Sequence, residues 1–345
     1  MERKSNIELL RIVAMLFVVL LHANYFSLGR VDITDIIINP IPAFFKAYLE
    51  QLCIVCVNVF VLISGWFGIR PTLKGGLSLL FQVFFFHILI ILVLLAIGES
   101  IPASGFYRLF YEDSPYWFVI AYLILYAVSP ILNAFIETVN VRTYLSVLVL
   151  FFLLEFAFGW MSNVAGAVYN EGYSAISFMG LYLLARYLYK YPTKIITFSI
   201  PQNIMLYFLF SLLPILLFFL TKREFNYMAY TSPFVISASV FFFMAFNKMK
   251  FSNKVINYLA CSSFAIYLVH LHPLVKDHFI CLMRSAFEKL GGMYILFAVS
   301  FAIILGLICM ILDKVRIFVW KQILKSDIIH RLHLQIENLY SKIGF

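Results

Sequence analysis

Arg11 and His22 stand eleven positions apart in one nearly unbroken apolar run, Glu8-Leu-Leu-Arg-Ile-Val-Ala-Met-Leu-Phe-Val-Val-Leu-Leu-His22. Eleven helical steps return to within about 20° of the starting direction and rise roughly 16 Å, so both side chains occupy one face. Glu8, three residues before Arg11, flanks the same stripe. A guanidinium grips phosphate oxygens through two parallel hydrogen bonds, and a carboxylate can hold it in place. An imidazole, with a reference pKa of about 6.5, suits general-base work near neutral pH. Such groups are costly inside lipid, and their presence there marks a functional site.

The elements that must position them are membrane helices. Of 345 residues, 63% are hydrophobic and only 12% charged, with 38 Phe and 21 Tyr. The chain divides into apolar runs long enough to cross a hydrocarbon core, at 8–27, 43–67, 77–98, 116–136, 143–160, 174–190, 204–220, 230–247, 255–275 and 292–313. The expected fold is therefore all-α: a polytopic membrane protein of about ten transmembrane helices. The first run carries Arg11 and His22 and lacks a small-residue cleavage site, so it reads as a permanent span rather than a signal peptide.

Charge sets the expected orientation. With the N-terminus cytoplasmic, 17 of the 26 Lys and Arg residues fall inside and eight outside, with Arg11 within the first span. Both termini are then cytoplasmic. The net charge of +9 reflects topology and contact with the lipid bilayer, and it calls for no nucleic-acid partner. Residues 1–313 form the expected transmembrane domain. Residues 314–345 mix basic and apolar side chains, as in a basic amphipathic cytoplasmic tail lying in the interface. Five cysteines make no disulfide framework, and Cys53-x-x-Cys56 lies within a span without further ligands, so no metal is expected.

Depth then sorts the polar groups. Arg11, Arg70 and Lys74 collect at the inner mouth, while His22, Glu50, Glu155, His270 and His272 fall in the outer half. Ser263, Tyr267 and His270 are spaced to share a face. His87, in the middle of the third span, reads as a hydrogen-bonded core residue.

Four stretches also carry a resemblance. They are Ile7-Glu-Leu-Leu-Arg-Ile-Val-Ala-Met…His22, Val57-Asn-Val-Phe-Val-Leu-Ile-Ser64-Gly65-Trp66, Tyr116-Trp117-Phe118…Tyr126…Pro130, and Ser262-Ser-Phe-Ala-Ile-Tyr267-Leu-Val-His270-Leu-His-Pro273. In this order they resemble the bacterial type-3 membrane acyltransferases, integral-membrane enzymes that O-acylate cell-surface polysaccharides and other extracytoplasmic acceptors. The resemblance implies about ten spans and acetyl-CoA, or another acyl-CoA, as the cytoplasmic donor. The basic cluster after Ser64-Gly65-Trp66 is thinner than in many relatives, being only Arg70 and Lys74.

Residues and resemblance lead to one expected mechanism. Arg11, Arg70 and Lys74 hold the CoA phosphates, and Glu8 holds Arg11. His22 is the base that activates a hydroxyl of a surface or lipid-linked glycan, with His270 as a further catalytic candidate and Glu155 as a cross-helix partner. Tyr267, Ser64 or Asn58 donates to the oxyanion, and Trp117 borders the acceptor. Direct transfer is simpler than an acyl-histidine intermediate. The expected location is the bacterial cytoplasmic membrane. A rival reading is a proton-coupled transporter or flippase of a glycolipid or small anion, using His22 and Glu155 as a relay.

Overall fold

The computed structural model describes residues 3–102, 109, 116–162, 166–191, 193–222 and 226–325, with side chains at 166, 167, 194 and 195 left aside. Among these residues there is no strand. The helices are α1 (Ser5–Leu28), α2 (Ile33–Ile38), α3 (Pro40–Cys53), α4 (Val55–Phe67), α5 (Leu73–Ala96), α6 (Trp117–Thr138), α7 (Val141–Leu154), α8 (Gly166–Tyr169) and α9 (Ala175–Lys190). They continue with α10 (Lys194–Thr197), α11 (Ile200–Thr221), α12 (Pro233–Asn247), α13 (Lys254–Ala260), α14 (Phe264–His270), α15 (Lys276–Leu290) and α16 (Tyr294–Lys325). A π-helical stretch, Glu155–Met161, extends α7.

Helix occupies each of the ten expected runs. Seven helical stretches among the described residues are long and apolar enough to cross a membrane. The remaining three runs are shorter or interrupted: α9, α12, and the pair α13–α14, which breaks at Cys261-Ser262-Ser263. Pro273 prevents α14 from resuming, because proline cannot supply the next backbone donor. The chain is thus an all-helical polytopic membrane protein. Its outer faces are aliphatic, as at Ile88, Leu92 and Leu95 on α5, and Ile304, Leu307 and Ile311 on α16.

Close packing depends on one glycine in particular. A Cβ at Gly65 would sit 2.7 Å from both the Ala185 Cβ and the Tyr182 carbonyl, so only glycine lets α4 approach α9 this closely. Polar pairs fasten other helices. Asn24 on α1 donates to Glu50 on α3 at 2.7 Å. Gln82 on α5 donates at 3.0 Å to Asp313 on α16, which also forms a 2.7 Å ion pair with Arg316.

The start of α1 and the last turns of α16 lie at one end of the bundle, termed here the near end. Arg3 donates to Asn257 and Lys314 donates to Tyr258, so both reach the same stretch of α13. α16 runs unbroken past residue 313 to Lys325, so the first part of the expected tail continues the last long helix. Residues 326–345, and most of the expected outer loop 99–115, lie outside the described residues.

Near-end cations commonly cap helices. Arg186 donates to the Trp66 carbonyl at the end of α4, and Lys190 to the Ile136 carbonyl at the end of α6. Carbonyls of a last helical turn have no intrahelical donor, and basic side chains there also complement the helix dipole.

Candidate active site

α1 presents its stripe as expected, with Arg11 towards the near end and His22 towards the far end. Arg11 pairs with Glu8 at 3.5 Å, Glu8 being buried and Arg11 partly open. His22 meets a residue from the other end of the chain, its Nδ1 lying 3.0 Å from Nε2 of His270 on α14. The remaining nitrogen of His270, Nδ1, lies 2.5 Å from the Ile266 carbonyl one turn back.

These contacts dictate the tautomers of a neutral pair. A carbonyl only accepts, so His270 Nδ1 carries the proton and donates it to Ile266. His270 Nε2 is then a lone pair and accepts from His22 Nδ1–H. His22 Nε2 is left with its lone pair free, which is the form a general base needs. The carbonyl and His270 do for His22 what a carboxylate does in a serine-protease triad: they orient the ring and fix its proton.

His22 also faces open space. A cavity of about 230 Å³ is lined by Met15, His22, Tyr25 and Phe26 of α1, by Val57 and Phe60 of α4, by Trp117 and Phe118 of α6, and by Tyr173, Tyr230 and Tyr267. His270 is buried behind His22 and does not line it. The order is therefore cavity, His22, His270, carbonyl. Tyr267 stands in the wall near His22 and packs against Phe118 and Tyr116. Trp117 packs edge-on to Tyr173, with ring centroids 4.5 Å apart, and Tyr173 meets Tyr230 at 5.1 Å.

A second imidazole pair lies two residues further along the chain. His272 Nε2 is 2.8 Å from His87 Nδ1 on α5, and the Leu274 N–H donates to His272 Nδ1 at 3.2 Å. Here the accepting nitrogen is Nδ1, so His272 donates to His87. The two pairs tie the end of α14 to α1 on one side and to α5 on the other.

Other expected site residues are placed apart from His22. Glu155 is buried where α7 becomes π-helical, beside Ser177 and Tyr169, and does not line the cavity. His270, not Glu155, is the cross-helix partner of His22. Asn58 is fully buried behind the wall, its amide donating to the Tyr230 carbonyl at 3.0 Å, so it holds a lining residue without lining the cavity itself. Ser64 bonds Phe60 O and the Tyr122 hydroxyl, also outside the lining.

Arg70 and Lys74 are exposed at the near end. The basic hollow at that end has other walls. It measures about 720 Å³ and is lined by Arg3, Lys314, Arg316 and Lys321 together with Tyr258 and Phe318, and Gly75 beside Lys74 belongs to it. Sequence reasoning missed Lys314, Arg316 and Lys321 because residues from 314 onward read as a tail. It also missed the cavity residues Arg30, just past the end of α1, and Lys276, the first residue of α15, since both fall outside the apolar runs that were read as spans.

A half-buried imidazole, oriented by a second one and opening on a cavity within a membrane bundle, is an arrangement able to take or give a proton at a bound group. The family profile then supplies the class. The acyltransferase-domain family, type 3, matches residues 4–314, nearly the whole chain, so the chain belongs to that family and is a membrane acyltransferase. Neither the curated proteins nor the solved structures contain a match to it.

Proposed function

We propose that the chain moves an acetyl or related acyl group from cytoplasmic acyl-CoA to a hydroxyl of an extracytoplasmic or lipid-linked glycan, in the cytoplasmic membrane of a bacterium. The observation that carries this reading is the His22–His270–Ile266 chain of hydrogen bonds, which leaves the lone pair on Nε2 of His22, a residue that lines the cavity.

The near end is then cytoplasmic, in keeping with the positive-inside bias. The CoA phosphates are held by the cations there: Arg3, Lys314 and Lys321 around the hollow, with Arg11 along α1 towards the cavity. The thioester is delivered from the Met15 side of the cavity, and the sugar from the far end.

The acceptor hydroxyl attacks the thioester carbonyl while His22 Nε2 takes its proton. His22 is then an imidazolium whose Nδ1–H still donates to His270. Tyr267 donates to the oxyanion. As the tetrahedral intermediate collapses, the carbon–sulfur bond breaks and His22 returns the proton to the departing thiolate. The products are the O-acyl sugar and free CoA thiol. Electrostatic stabilisation of the oxyanion and general-base assistance are each expected to contribute factors of about 10² or more.

Transfer of labelled acetyl from acetyl-CoA to isolated surface glycan, in membranes carrying the wild type or His22→Ala, tests the reading. The proposal expects label in glycan with wild type only. Equal labelling with both removes His22 from the chemistry. The transporter reading would need His22 and Glu155 on one path, and Glu155 lies outside the cavity lining.

A further inference from the structure

Four cations gather around the last turn of α1, at the far end, where the positive-inside bias makes cations the exception. Two of them are engaged in ending the helix. Lys46 Nζ donates to the Leu28 carbonyl at 2.9 Å, and Arg284 Nε to the Ser27 carbonyl at 3.2 Å. These carbonyls have no intrahelical donor, so both cations have a structural task.

The other two, Arg30 and Lys276, line the cavity. The Arg30 guanidinium lies over the Tyr227 ring, 4.7 Å from its centroid. The Lys276 ammonium lies 4.9 Å from the centroid of Phe26, the ring on which His22 stacks at 4.8 Å. Lys276 is half-buried, and among the described residues its ammonium has neither an ion-pair nor a hydrogen-bond partner. The Lys276 ammonium, kept on an aromatic face over a cavity with no carboxylate paired to it among the described residues, favours a negatively charged occupant. Glu171 is the acidic residue in the described lining, set against these two cations.

We propose that the acceptor taken into this cavity is an anionic saccharide, an inference that rests on the proposed function. A carboxylate or phosphate ester on the sugar meets Lys276 and Arg30, while the sugar ring lies against Trp117, Tyr173 and Tyr230. Lys276 is set outward of His22 by Phe26, one helical turn further along α1. Its charge therefore addresses a substituent of the acceptor, whereas Tyr267 remains with the thioester carbonyl. The arrangement orients the sugar: the anionic substituent at the mouth directs a hydroxyl on the inward side towards His22 Nε2.

The test is binding of three matched oligosaccharides to the full chain in lipid nanodiscs, followed by calorimetry. One ends in a neutral hexose, one in a uronic acid and one in a hexose phosphate. Wild type is expected to bind an anionic sugar about tenfold or more tighter than the neutral one, with the gap closing at high salt. Lys276→Gln should erase most of that gap, and Lys276→Arg should keep it. Whichever anionic sugar binds tighter identifies carboxylate or phosphate as the recognised group. Equal affinity for neutral and charged sugars in wild type, or a preference that survives Lys276→Gln, overturns the inference. Acyl transfer from labelled acetyl-CoA is scored in parallel. Charge preference without transfer to any sugar would remove the proposed function and leave the anion site, and transfer without preference would do the reverse.

Discussion

The proposed chemistry rests on a few contacts between side chains far apart in sequence. His22 and His270 are each visible in the sequence as intramembrane histidines, and helix periodicity places His22 and Arg11 on one face. Their pairing is not visible, because it depends on how α14 is seated against α1. His270 does for His22 what Glu155 was expected to do, and a lone carboxylate in a span carries no address for its partner. His270→Phe removes the acceptor that fixes the His22 proton on Nδ1. It should lower kcat by about 10²-fold or more while leaving the KM for acyl-CoA little changed, as steady-state kinetics in membranes would read. Equal losses in kcat and in donor binding would instead indicate collapse of the helix packing. Tyr267→Phe removes only a hydroxyl from the wall, and on the proposed mechanism it should cost about 10²-fold in kcat. An unchanged kcat would exclude it as the oxyanion donor.

At the scale of elements, the interruption between α13 and α14 and the proline after α14 allow a short helix to point His270 one way and His272 the other. The helices themselves are legible in the sequence because lipid demands long apolar runs. Their interruptions are harder to read, since Ile54 and Cys261-Ser262-Ser263 sit in apolar surroundings that periodicity scores as continuous. Gly65 belongs to a motif whose Gly is explained by contact with α9. Gly65→Val should force that contact apart, costing about 1–3 kcal/mol and lowering the thermal midpoint measured in detergent. The Gln82–Asp313–Arg316 network makes a similar demand on α5 and α16. Asp313→Leu leaves a buried guanidinium unpaired and should destabilise by about 3–5 kcal/mol, read in the same assay. Little change in the midpoint would show that Arg316 finds water or another acceptor.

Across the whole molecule, polarity is divided between two ends. One holds an open basic hollow, the other an aromatic cavity with His22 in its wall, and α1 runs between them with Arg11 and His22 on one face. The sequence showed cations gathering towards one side, but the hollow that collects them draws on Arg3, Lys314 and Lys321, residues at opposite ends of the chain. Lys314→Ala with Lys321→Ala should raise the KM for acyl-CoA severalfold, with a smaller effect on kcat. An unchanged KM would move the donor site elsewhere. The central claim is that His22 is the base of an acyl transfer within the bundle. Labelled acetyl-CoA supplied to membranes with isolated surface glycan tests it most directly, comparing wild type with His22→Ala at matched protein levels. The account predicts label in glycan from wild type, and loss of about 10²–10⁴-fold in the variant. Transfer at the wild-type rate by His22→Ala would contradict it.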